Sequence, residues 1–129
     1  MLNDPLANVL SIIGHYEQLG RKEVVTPYNS KLIRQVLALL QESGYVGSFE
    51  EIEDGKNKWL KVHLIGAINK INVIKPRFAL KQDNFEVFEK SFLPAKAMGI
   101  IIVSTSKGLM IHTKAKQERL GGRLVCYCY

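Results

Sequence analysis

Apolar side chains recur at helical spacing near the start of the chain. Leu6, Val9, Leu10, Ile13 and Tyr16 form one stripe, while Asn8, Ser11, His15 and Gln18 fall largely off it. The pattern predicts an amphipathic helix over 4–19, capped by Asn3 or Asp4, with Pro5 in its first turn and Gly20 as its stop. The β-branched run Glu23-Val24-Val25-Thr26, broken by Pro27, predicts a short strand. A second helix begins at Asn29 or Ser30 and runs to about Ser43, with Leu32, Ile33, Val36, Leu37 and Leu40 as its apolar face and Gly44 as its end. Two extended runs follow, 45–53 and 58–65, joined by Asp54-Gly55-Lys56-Asn57, a strong hairpin signal. The order is α-β-α-β-β, two helices covering a small sheet.

Beyond residue 66 the pattern turns β-rich and less periodic. Asn69 to Ile74 predicts a strand, interrupted by Lys75-Pro76-Arg77. Phe85, Phe88 and Phe92, with Val87, stand at helical spacing before Pro94 and predict a short helix. Gly99 to Ser104 is continuously apolar, as a strand buried on both faces would be. The polar turn Thr105-Ser106-Lys107-Gly108 leads into an extended Leu109-Met110-Ile111. Thr113 caps a short helix through about Leu120, Gly121-Gly122 ends it, and Arg123 to Tyr129 forms a closing strand. The fold class is α+β, with two small α/β modules over 1–66 and 67–129 that meet near Gly66 to Asn69. There are no internal repeats, low-complexity tracts or long linkers.

Composition changes the picture in two places. With 129 residues, 47% hydrophobic and 23% charged, the chain has the make-up of a folded domain. Its longest apolar stretches, such as Met98 to Val103, are too short for a bilayer, and Asn3, Asp4 and Pro5 stand where a secretory signal would be basic. These features point to a cytoplasmic protein without a membrane partner. Cys126 and Cys128, at i and i+2 of a predicted strand, share one face. That geometry is poor for a disulfide and too sparse for zinc, so both are expected as free, small apolar fillers in a reducing compartment. Charge is distributed unevenly: residues 1–66 hold 7 Lys/Arg against 8 Asp/Glu, whereas 67–129 hold 11 against 4, a net of +7. The second half is either the electrostatic footprint of a polyanion site or a lysine-rich solvated surface.

Catalytic chemistry is thin. His15, His63 and His112 fall in three different elements, none in a metal-ligand spacing. Glu50, Glu51, Glu53 and Asp54 flank a hairpin without a base or metal partner in sequence. Nucleophile-elbow, dinucleotide and Walker motifs are absent, and Ser106-Lys107-Gly108 reverses the phosphate-loop order. The reading is a protein that is not an enzyme and uses no cofactor or metal. What remains is a binding constellation. Ser104, Thr105, Ser106, Lys107 and Gly108 set three hydroxyls, a cation and a flexible glycine where a buried strand emerges. Small hydroxyl groups and bare amides can approach a sugar-phosphate surface closely. The alternative is an ordinary turn satisfying its own backbone. Gly121 and Gly122 suit a tight helix-to-strand reversal, and also a close meeting of backbones. Lys75-Pro76-Arg77-Phe78 sets two cations beside an aromatic, as a phosphate groove or a base stack requires; the alternative is a sheet-edge break with Phe78 in the core.

Taken in order, Asp4-Pro5-Leu6-Ala7-Asn8, Ser30-Lys31-Leu32, Gly44-Tyr45-Val46, Lys75-Pro76-Arg77-Phe78, Leu93-Pro94-Ala95, Gly99 through Met110 and Leu120-Gly121-Gly122 carry a resemblance. The chain resembles the family of small-subunit ribosomal protein eight over essentially its whole length. The Lys-Pro-Arg-Phe block, the Phe-rich segment and the aromatic C-terminus look like the archaeal and eukaryotic branch. The resemblance implies a structural constituent of the small ribosomal subunit in the cytoplasm. Such a protein binds the central domain of small-subunit ribosomal RNA, supports its folding and assembly, and sits as a monomer among neighbouring ribosomal proteins. It further implies that Ser104, Thr105 and Ser106, completed by Lys107 and Gly108, form the RNA-contacting turn, with Gly121 and Gly122 beside it. Ser30 and Lys31 correspond to a secondary contact in the N-terminal module, and Lys75 and Arg77 to a branch-specific basic segment. Ile111-His112-Thr113-Lys114 departs from the acidic helix start typical of this branch, which should make the local surface more positive and leaves the role of His112 open. Repression of its own messenger is an alternative reading. A nucleotide-processing enzyme is disfavoured by the lack of an acid, base or metal cluster near the serine turn.

Overall fold

Helix α1 spans Pro5–Gln18. In the computed structural model, which describes residues 4–75, 77–81, 83–95 and 98–129, Asp4 caps this helix by accepting the Ala7 N–H at 3.2 Å. Asn3, the alternative cap, lies outside the described residues. Leu6, Val9, Leu10 and Ile13 are buried. Tyr16, expected on the same stripe, is 37% exposed. A 3.6-residue period carries the inward line from Ile13 to Glu17 instead, and Glu17 is half-buried there. Burial raises the Glu17 carboxyl above the usual range, opposed by a hydrogen bond with the Gly66 backbone.

Helix α2, Lys31–Glu42, is capped by the Ser30 hydroxyl, which accepts the Ile33 N–H at 3.3 Å. It buries Ile33, Val36, Leu37 and Leu40, leaving Leu32 at the stripe edge half-buried. Both helices end on a glycine in the left-handed region, Gly20 at φ 74° and Gly44 at φ 81°. The following amide folds back in each case, Arg21 N–H to Tyr16 O and Tyr45 N–H to Leu40 O. Strands β1 (Glu23–Thr26), β2 (Val46–Asp54) and β3 (Asn57–Leu64) form an antiparallel sheet in the order β1-β3-β2. The hairpin is tighter than the four-residue connection in the sequence reading: Asp54 pairs with Asn57, leaving only Gly55 and Lys56 in the loop. Val24, Thr26, Leu60 and Val62 lie inward against the helices.

The second set of elements is β4 (Ile71–Val73), β5 (Ala79–Leu80), α3 (Phe85–Phe92), β6 (Ile100–Thr105), β7 (Gly108–Ile111), α4 (His112–Gln117) and β8 (Gly122–Cys128). Their antiparallel sheet runs β4-β8-β6-β7, with β5 also paired to β8. Strand β5 was not legible as a strand. It resumes the edge after the Lys75–Arg77 break, whose Pro76 lies outside the described residues, and is held by Leu124 N–H to Phe78 O at 3.0 Å. Residues Ile100 to Val103 are all buried, as a strand covered on both faces requires. Ile74, Leu80, Phe85, Ile101, Val103, Met110, Ala115, Leu124 and Tyr127 share one core. Phe78, Phe88, Phe92, Tyr127 and Tyr129 follow one another at ring-centroid separations of 5.6, 6.4, 5.4 and 6.3 Å. Contacts group the chain into two compact units, Met1–Lys70 and Ile71–Tyr129.

Helix α4 differs from the sequence reading at both ends. It begins at His112 with Ile111 as N-cap, so Thr113 lies inside its first turn and caps nothing. It ends before the double glycine: Arg119, at φ 55°, takes the left-handed position, and Leu120 N–H returns to Ala115 O at 2.8 Å. His112 is 5% exposed, so it does not add to the local surface charge. Ile102 pairs with Ile111, so Ile101 is the next position along β6, facing the point where the chain leaves the ladder for α4. The Ile101 N–H donates instead to His112 Nδ1 at 3.1 Å, the imidazole standing in for the missing backbone carbonyl. Its Nε2 lies 3.8 Å from Glu89 Oε1 of α3.

Burial holds His112 below its ordinary value of 6.5, against the opposing pull of Glu89. The unfolded chain therefore binds the His112 proton more readily than the native one, and stability present above pH 6.5 is lost progressively as pH falls below it. Urea midpoints at pH 7.5 and 5.5 should show this decline in the wild type and a smaller one in His112→Asn, whose amide oxygen can still accept the Ile101 N–H. Equal declines would remove His112 as the cause.

Candidate nucleic-acid interface

The β6–β7 hairpin ends on the pair Thr105–Gly108, with Ser106 and Lys107 at its tip. The three hydroxyls divide by task. Thr105 Oγ1 donates to Gly108 O at 2.8 Å and accepts the Lys107 N–H at 3.1 Å, so this half-buried side chain staples the turn. Ser104 and Ser106 are exposed, and among the described residues neither hydroxyl has a hydrogen-bond partner. Lys107 is exposed beside them. The end of the hairpin thus presents two uncommitted donor-acceptor groups, Ser104 on β6 and Ser106 at the tip, with the Lys107 cation beside Ser106 on a turn closed by Thr105.

The double glycine serves this hairpin rather than the helix end. Neither Gly121 nor Gly122 has a positive φ. A Cβ on Gly122 would fall 2.1 Å from the Ser104 carbonyl oxygen, and one on Gly121 2.6 Å from that of Leu80. Strand β8 enters the sheet at Gly122, paired with Thr105 on one side and Leu80 on the other. Only a residue without a side chain lets the three strands close at this level.

The next residue, Arg123, carries no binding role in the sequence pattern beyond opening the closing strand. It pairs with Ser104 and, across the other edge of β8, with Ala79. All three are exposed. One guanidinium nitrogen donates to the Arg77 carbonyl at 3.4 Å. The signal available in sequence was its place directly after the double glycine and before a buried Leu124, which puts it on the outward side of the strand. Lys75 and Arg77 are exposed on the segment joining β4 to β5, and Phe78 is 41% exposed, tilted on Phe88.

Ser30 and Lys31 belong to the other unit, at the start of α2. The Ser30 hydroxyl accepts the Ile33 N–H, which leaves its own proton to donate, and Lys31 is exposed. Cys126 and Cys128 are free and buried. Burial pushes the Cys126 thiol far up, Cys128 beside it adds to the effect, and the Arg77 charge opposes both. Among the described residues no three histidine, cysteine or carboxylate side chains gather as a metal site, and no helix is long and apolar enough to cross a membrane.

The model of the family described as ribosomal protein S8 matches residues 4–129. The chain belongs to the ribosomal protein S8 family. It is a ribosomal protein of the small subunit, resident in the ribosome, with a part in translation and in a family whose role is structural rather than enzymatic. The S8 match runs through both compact units, including the serine turn and the double glycine.

In this S8-family chain, Gly122→Ala should destabilise the second unit by at least the 1–3 kcal/mol typical of overpacking, because the clash is with backbone. Arg119→Gly, at a residue already in the left-handed region, should be neutral or stabilising. Urea denaturation of the two variants measures the difference; equal stabilities would rule out the close approach at Gly122.

Proposed function

We propose that this S8-family chain binds the central domain of small-subunit ribosomal RNA and supports its folding during subunit assembly, as a monomer among neighbouring ribosomal proteins. Residues 67–129 act as the RNA-binding module. The supporting observation is the pair of exposed, uncommitted hydroxyls at Ser104 and Ser106, set on a closed turn beside Lys107 in the half of the chain with a net +7. Hydroxyls that both donate and accept suit the ribose and base edges of a shallow RNA groove, where shape and the 2′-hydroxyl are read. Lys107, Lys75 and Arg77 neutralise phosphate, and Gly108, Gly121 and Gly122 keep bulk away from the surface. Ser30 and Lys31 add a second contact, with the amides of the α2 N-terminus turned to phosphate. The mechanism is binding alone.

Filter binding to small-subunit ribosomal RNA over a salt series separates these roles. Ser106→Ala should weaken binding by about 1 kcal/mol, roughly five-fold, at every salt concentration. Lys107→Ala should lower the slope of log affinity against log salt by about one ion. Unchanged affinity and slope in both variants would move the binding surface elsewhere.

A further inference from the structure

Beside the serine turn, the outward face of the second sheet carries a feature that the hydroxyls do not explain. Val103 and Leu124 are paired and buried in the core, so their neighbours Ser104 and Arg123 leave the opposite face of the sheet. Further along that face Ile102 and Cys126 are also paired and buried. The exposed part therefore begins at a single row, Ala79–Arg123–Ser104–Leu109. Within it Arg123 is the one cation, and its neighbours are small or half-buried. Among the described residues no carboxylate pairs with its guanidinium. The contact it does make, one exposed hydrogen bond of 3.4 Å to the Arg77 carbonyl, orients the planar head without neutralising it.

Resting on the RNA-binding reading above, we infer that Arg123 is a pre-positioned fork for one phosphate of the RNA backbone, held beside the Ser104 hydroxyl. A guanidinium has five N–H groups in a rigid plane. With one nitrogen anchored on Arg77 O, another edge remains for a bidentate grip on two phosphate oxygens, and directly opposed positions on adjacent strands bring the Ser104 hydroxyl within reach of the same group. Anchoring removes part of the rotamer freedom that a free arginine would lose on binding. Lysine would keep the charge but neither the fork nor the anchored plane. Arg77 contributes to this contact through its main chain, so its own side chain is a separate phosphate contact.

The test is Arg123→Lys in the full chain, titrated with small-subunit ribosomal RNA and with an unrelated structured RNA of equal length. Urea denaturation first confirms wild-type stability for the variant. Affinity for the ribosomal RNA should fall five- to ten-fold with the salt slope unchanged, whereas Arg123→Gln should lose more and also reduce the slope by about one ion. Arg77→Ala keeps the anchoring carbonyl, so Arg123→Lys should cost the same factor in that background. Wild-type affinity and slope in Arg123→Lys would overturn the fork while leaving the serine turn as an RNA site. A wild-type chain that does not prefer ribosomal RNA over the control would overturn the RNA reading itself, and the fork with it.

Discussion

The second unit depends on one main-chain contact, the approach of Gly122 to the carbonyl of Ser104. At that level β8 enters between β5 and β6, and a Cβ there would collide with backbone, which cannot swing aside as a flexible side chain can. The two functions of the region meet at this contact. On the core side it allows Val103 and Leu124 to pair without a gap; on the outer side it fixes where Ser104 and Arg123 stand. Close-packed interiors leave little room for adjustment, so a change at the glycine displaces the hydroxyl row as well as the core.

Much of this was legible in the sequence because the physics involved is local. The stripes of α1 through Ile13 and of α2, the stops at Gly20 and Gly44 and the Ser30 cap follow from spacing and from the conformations each residue type tolerates, and they appear where the pattern puts them. The free cysteines, the double-sided burial of Ile100 to Val103 and the hairpin of Thr105 to Gly108 were visible for the same reason. What escaped depends on partners distant in sequence. The two residues of β5 have no pattern of their own and become a strand only because β8 offers an edge. Arg119 occupies a position that looks reserved for glycine because the glycines nearby are required by strand packing instead. His112 looked like part of a surface segment, yet it closes the sheet where β7 turns into α4.

The serine turn shows how far composition reaches and where it stops. Three adjacent hydroxyls are chemically alike, and only geometry separates them: Thr105 is committed twice within the turn, while its neighbours remain open. The bland alternative, a turn that satisfies its own backbone, is therefore realised by Thr105, while Ser104 and Ser106 on either side of it stay uncommitted. A staple at the centre makes the flanking groups useful, because donors on a closed turn need less ordering when a partner arrives.

The topology has a further consequence for biogenesis. Strand β8 lies at the middle of its sheet, bonded to β4, β5 and β6, yet it is the last of these strands to leave the ribosome during synthesis. The first unit pairs β2 with β3 through a two-residue loop, and all of its strands and helices lie before residue 65. The second cannot close its sheet until residues 122–128 have emerged, so β4, β5 and β6 wait for the strand that joins them while every element of the first unit is already outside.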